Sequence, residues 1–200
     1  MTRTLLHKPT LTGKLVELRP FDEEAINAML EILTEPDVLK RTGTVDSTDQ
    51  AQRGNPLSEE KTRAWYATRH EQTDRIDLAI YSFALQRYIG EVVLNDYDAD
   101  KRSLNFRIAI GKRGQGSGHG TEATKLIVDY AFDYLDIDRI ELEVFEFNER
   151  ARHVYTSVGF VETGRIKNSF TFDGTSYDAI TKAVTRDNRH VPHQLTLAAA

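Results

Sequence analysis

The sequence predicts an α/β domain of the α+β kind, with a mixed, mostly antiparallel central sheet of about seven strands and about four flanking helices. Three observations predict it. Strand-like runs between Asp77 and Ile110 are joined by short polar turns, as an antiparallel meander requires. A helical repeat then separates two further strand-like runs, which implies a parallel, right-handed crossover. Two hundred residues, 40% hydrophobic and 28% charged, suffice for one core. The domain is expected over residues 1–185, with a tail over 186–200.

The elements follow in order. From Lys14 to Arg19, KLVELR alternates apolar and polar side chains, the period of a strand with one buried face. Asp22 caps the next helix; Glu23 and Glu24 suit its first turn, Ile26, Met29, Leu30 and Leu33 share one face, and Pro36 ends it. Residues 41–57 are polar and broken by Gly43, Gly54 and Pro56, predicting a long mobile loop. Ser58 caps a second amphipathic helix running to about His70. The runs LAIYSFAL, YIGEVVLN and LNFRIAI form the meander. Ala123, Ile127, Tyr130, Ala131 and Tyr134 fall at helical spacing within 120–135, and RIELEVF alternates from Arg139 to Phe145. Asn148 to Ser157 reads as a short helix stopped at Gly159, followed by strands near Phe160–Arg165 and Tyr177–Val184. After Arg186 the periodicity fades and a frayed end is expected.

Composition excludes several functions. A net charge of −5, spread along the chain, offers neither a basic stripe for nucleic acid nor a polybasic membrane patch. Without cysteine there are no disulfides, thiolate metal ligands or thiol nucleophile. His190 and His193 lack the further ligands a metal needs, so no metal is expected. No apolar stretch approaches the ~20 residues that span a bilayer, and the first residues lack a signal-peptide core. The expectation is a cytoplasmic protein.

The most informative segment is IAIGKRGQGSGHGTEA, Ile108 to Ala123, where a strand runs through five glycines into a helix. Glycines let the backbone bend sharply and present N–H groups, and the first helical turn adds unpaired donors and partial positive charge. Together they make an anion site. A P-loop would need lysine after its second spaced glycine, where Ser117 stands; the dinucleotide fingerprint would need glycine at His119 or Thr121. Neither fits. A glycine-rich connector without a ligand is the bland alternative.

These residues resemble the GNAT acetyltransferase superfamily, and its RimJ/RimL-like branch in particular. Gln115, Gly118 and Gly120 fit its loop signature [Q/R]-x-x-G-x-[G/A], and Thr121, Glu122 and Ala123 follow as T-E-A. A second register, on Arg113, Gly116 and Gly118, fits the letters but not T-E-A. LVELRPF, YIGEVVL and the spaced set Asn148, Ala151, Tyr155, Gly159 and Phe160 occur in family order, so the resemblance covers roughly residues 10–184.

The resemblance implies a GNAT fold whose sheet splays between its fourth and fifth strands, with acetyl-CoA in the cleft. Backbone groups of Ile108, Ala109 and Ile110 would bond the pantetheine arm, and the loop from Gln115 through Gly116, Ser117, Gly118, His119 and Gly120 to Thr121 would take the pyrophosphate. In His119 the backbone matters more than the ring. Tyr155 matches the general acid, and Asn148 a cofactor contact that doubles as a helix cap. Ala151 replaces a frequent serine, leaving Arg152 as a phosphate contact. Asn105 stands where many relatives carry a glutamate base. Glu91, Glu141 and Glu143 remain, each equally readable as the polar face of a strand; Glu91 is taken as the base, with a water relay as the alternative. The implied reaction is acetyl transfer to a primary amine, a small molecule or a protein N-terminus. A homodimer is compatible with it. Loop 41–57 would border the acceptor, where Asp46, Asp49, Glu59 and Glu60 suit a cation. The competing readings are a GNAT-like acyl-CoA sensor without turnover, and a nucleotide-binding protein using the same loop.

Overall fold

The computed structural model describes residues 4–189 and 196–197. Local signals start most helices where the sequence places them. Asp22 accepts from the Ala25 N–H at 2.8 Å and opens α1 (Glu23–Ile32); Ser58 accepts from Lys61 N and opens α4 (Glu59–Ala67). Between them the structure departs from expectation. Pro36 begins a helix, α2 (Pro36–Arg41), because its fixed φ suits a first helical position and its missing N–H is not needed there. The expected loop 41–57 contains a further helix, α3 (Thr48–Arg53), capped by Ser47. Only Ala51 of α3 is buried, so the segment has almost no apolar periodicity for a sequence reading to detect.

The meander is β3 (Ile76–Ser82), β4 (Arg87–Asp98) and β5 (Ser103–Ile110), paired antiparallel in order. After α5 (His119–Tyr134), β6 (Arg139–Phe145) returns parallel to β5. Asn148 caps α6 (Glu149–Val158), and Gly159, at φ 105°, ends it in the left-handed region. The chain closes with a hairpin, β7 (Val161–Phe172) and β8 (Thr175–Thr185), longer than expected. Its outer strand is exposed on both faces over most of its length, so the period-2 signal is missing. At the start, β2 (Val16–Arg19) is preceded by β1 (Leu11–Thr12).

All strands join one sheet, in the order β7-β8-β6-β5-β4-β3-β2-β1-β9, nine in place of about seven. The additions are the two-residue strands β1 and β9 (Thr196–Leu197), which pair with each other. The expected frayed end thus includes one paired stretch; the rest of it beyond Arg189, with His190 and His193, lies outside the described residues. One face of the sheet buries Leu78, Val92, Phe106 and Ile140 against Ile127, Tyr130 and Phe132 of α5 and Val158 at the end of α6. On the other face α1, α2 and α4 pack Ile26, Met29, Val38 and Tyr66.

The parallel β5–β6 ladder pairs only Ser103–Asn105 with Arg139–Glu141, and beyond Asn105 the two strands diverge. On its other edge β5 stays paired to β4 as far as Ile110 opposite Gly90. A Cβ at Gly90 would run into the Ala109 carbonyl oxygen, so this approach of β4 to β5 needs glycine.

Candidate active site

The divergence of β5 and β6 opens a cleft of about 810 Å³ through the sheet. On the α5 side it is lined by Gln115, Gly116, Gly118, Gly120 and Thr121; on the opposite side by Val38, Arg41, Thr42, Asp96, Asn105 and Arg107; and Ile108, Ala109, Ile110, Glu143 and Tyr155 lie along it. Phe106 to Ile110 have no ladder partner on the cleft side among the described residues, so β5 presents a free edge to any extended ligand.

The loop after β5 is braced rather than loose. Lys112 N–H donates to Glu35 Oε2 at 2.7 Å, and Gln115 Nε2 donates to the Ile110 carbonyl at 2.9 Å. His119 Nδ1 donates to the Gly114 carbonyl at 2.9 Å, while Ser82 Oγ lies 3.2 Å from Nε2. The ring is only 3% exposed, so it is a buried strut inside the loop and not a ligand contact. Leu85 N–H donates to the same Ser82 oxygen, so the hydroxyl joins the turn after β3 to the ring. Gly116 (φ 87°) and Gly118 (φ 81°) occupy the left-handed region, which a side chain would strain. The first intrahelical bond of α5 runs from Glu122 N–H to the Gly118 carbonyl, so the amides of His119, Gly120 and Thr121 precede the ladder and are free for an anion.

Glu122 has a separate task. Its carboxylate accepts from the amides of Lys14, Leu15 and Val16 at 2.6 to 3.0 Å and ties the turn before β2 to α5.

The remaining expected residues divide. Asn148 lines the cleft, caps α6 through Ala151 N–H and accepts from Arg41 Nη1 at 3.1 Å. Tyr155 is buried at the cleft, edge-on to Phe106 and against Phe160. Burial raises its pKa above the usual phenol range, so the hydroxyl stays protonated. Ser117 is exposed and does not line the cleft. Arg152 donates to the Glu146 carbonyl; the cleft is lined instead by Arg150, which donates to Gln115 Oε1 at 2.6 Å and which residue spacing did not single out. Glu91 lies beside Ala109 but behind the cleft wall. Its Oε2 is buried without a hydrogen-bond partner, and burial followed by the charge of Asp77 pushes the carboxyl up to about 7. Asp46, Asp49, Glu59 and Glu60 are exposed and none lines the cleft. Among the described residues no three acidic or histidine side chains form a metal-binding group, and no helix is long and apolar enough to cross a membrane.

A split sheet, a free strand edge and a braced glycine loop at a helix start fit a thioester of coenzyme A. Residues 16–161 match the family model for the acetyltransferase (GNAT) domain. The chain belongs to the GNAT acetyltransferase family. Its activity is acetyl-CoA-dependent acetyl transfer to an amine. Among GNAT relatives it is similar to spermidine N(1)-acetyltransferase of Escherichia coli, at 28% identity over 144 residues, 66% of this chain and 77% of that one. Its fold superimposes on spermidine N-acetyltransferase from Vibrio cholerae, solved with CoA and spermine, with TM-score 0.75 and 21% identity over 88% of this chain and 98% of that one. RimL, a ribosomal L7/L12 α-N-protein acetyltransferase solved with coenzyme A, superimposes with TM-score 0.72 at 18% identity over 88% of this chain and 97% of that one. The GNAT splay expected between the fourth and fifth strands lies here between β5 and β6, because β1 adds a strand at the start.

Proposed function

We propose that the protein acetylates a primary amine, on a small molecule or a protein N-terminus, by direct attack within a ternary complex, using Tyr155 as acid and Glu143 as base. The observation that carries this reading is the single cleft lined by the anion loop, by Tyr155 and by Glu143.

The free β5 edge at Ile108–Ile110 would hold the pantetheine arm of acetyl-CoA, and the amides from Gln115 to Thr121 its pyrophosphate. The thioester supplies an activated acyl group. The chain's own part is to position, to polarise and to move protons. β5 amides facing the cleft are donors for the thioester carbonyl. Tyr155, kept protonated by burial, delivers its proton to the departing sulfur. Glu143 extends from β6 on the same sheet face as Phe145 and lines the cleft, so it receives the amine proton directly or through one water. It takes this role in place of Glu91, which does not reach the cleft.

Release of free thiol from acetyl-CoA in the presence of a panel of amines tests the reaction. Glu143→Gln is expected to lower kcat by about 10²-fold while leaving the Kd for coenzyme A close to the parent value. A kcat loss of that size in Glu91→Gln, with Glu143→Gln unaffected, would return the base to Glu91.

A further inference from the structure

The acceptor half of the cleft carries cations as well as acids. Resting on the reaction proposed above, we propose that the acceptor is a primary amine that also bears a carboxylate, which the guanidinium groups of Arg107 and Arg41 hold.

The two arginines approach from different elements, Arg41 from α2 and Arg107 from β5, and both line the cleft. Arg41 is oriented in advance. Its Nη1 donates to Asn148 Oδ1 and its Nη2 to Asp37 Oδ2, each at 3.1 Å, while its buried Nε has no partner among the described residues. Arg107 is exposed to the cleft and makes no hydrogen bond among the described residues. Glu91, which couples to its charge from behind the wall, is itself pushed up to about 7, chiefly by burial. A guanidinium with free donors in a cleft is built to accept a carboxylate, bidentately where geometry allows.

The acids of the same half are Asp96 and Glu143. Asp96 already accepts from Asn95 Nδ2 at 2.9 Å, and Asn95 in turn accepts from Asn105 Nδ2. Glu143 is left for the amine. Two cations and two anions in this half of the cleft complement a zwitterion and oppose a polycation, whose further ammonium groups would face guanidiniums at a cost in affinity. The acids that would have favoured a polycation, Asp46, Asp49, Glu59 and Glu60, stand outside the cleft.

Thiol release from acetyl-CoA is measured with matched acceptors: a free amino acid and its amide, a peptide beginning Ala-Asp and one beginning Ala-Asn, and spermidine. The carboxylate member of at least one pair is expected to exceed its neutral partner about tenfold in kcat/KM, and the pair that does so tells a free amino acid from an acidic protein N-terminus. Arg107→Gln should collapse that ratio toward one. It carries the decision because Arg41 also holds Asn148. Equal rates within both pairs, spermidine ahead of every carboxylate, or an undiminished ratio in Arg107→Gln would overturn the inference. Absence of thiol release with every amine would remove the reaction proposed above. Melting of the CoA-saturated protein then still reads the subsite, and equal shifts from carboxylate and amide would sink the inference by itself.

Discussion

Tyr155 owes both its place and its protonation state to the same aromatic surroundings. Phe106 and Phe160 fix the ring, and the exclusion of water that comes with them keeps the phenol protonated. Phenylalanine would preserve that packing and remove only the hydroxyl. Tyr155→Phe is therefore expected to lower kcat by about 10²-fold while leaving the Kd for coenzyme A and the melting temperature close to the parent values, as stopped-flow kinetics and calorimetry would register. His119 lies buried beneath the anion loop, outside the cleft lining, and works differently. Its ring bridges Gly114 and Ser82 beneath the anion loop, so His119→Ala leaves a buried carbonyl unpaired and a cavity under the bend. The expected signature is a KM for acetyl-CoA raised about tenfold with a smaller change in kcat. A kcat loss at unchanged KM would mean that the ring serves chemistry instead of loop geometry.

Among the elements, β7 is exposed over most of its length, and a polar joint at Asp178 helps tie it to β8. Asp178 accepts from Lys167 Nζ at 2.7 Å, from Arg165 Nη1 at 3.1 Å and from the Asn168 amide at 3.1 Å. Asn168 occupies the left-handed region, at φ 49°, where the β7 register shifts. Lys167, Asn168 and Arg165 together hold the Asp178 carboxyl down to about 2. A depressed folded-state pKa contributes stability above the unfolded value and loses it as pH falls through the folded one. Asp178→Asn should thus speed amide hydrogen exchange across Val161–Phe172 at pH 7, with the difference from the parent shrinking as pH drops toward 2. The three aromatic rings of Phe145, Phe147 and Phe170, stacked and tilted beside the turn end of the hairpin, should keep the rest of the sheet in place.

At the scale of the whole molecule, Glu91 makes stability depend on pH in the opposite sense. Its carboxyl is raised from 4.5 to about 7, so the folded state binds a proton that the unfolded chain has released between those values. Stability from this group is complete below about 4.5, falls as pH rises through 7, and is gone above it; the full difference is on the order of 3 kcal/mol. Glu91→Gln, which cannot ionise, should gain on the parent in urea midpoint between pH 5 and pH 8. A constant offset across that range would contradict the burial argument. Ligand binding belongs to the same scale, since the site proposed for coenzyme A lies between two halves of a split sheet. At a hundredfold excess over its Kd it should stabilise the protein by about 2.7 kcal/mol, with slowed exchange concentrated at Ile108–Ile110 and Gly116–Thr121.

Much of this was legible in the chain because local rules write it locally. The caps at Asp22, Ser58 and Asn148, the meander, the crossover and the glycine loop each depend on neighbours a few residues away. Tyr155 and the loop were legible as a spaced pattern. The helix α3, the full hairpin and the two-residue strands were not, because their side chains are mostly exposed or too few to set a period. The sequence by itself determined which backbone bends sharply and which helix begins there. Only the tertiary structure decided that β5 and β6 part company after Asn105, that Glu91 falls behind the wall while Glu143, Arg41 and Arg107 line the cleft, and that the His119 ring props the loop. The reason is physical: strand pairing and side-chain facing across a sheet join residues far apart in the chain, and no local period encodes which of them will meet.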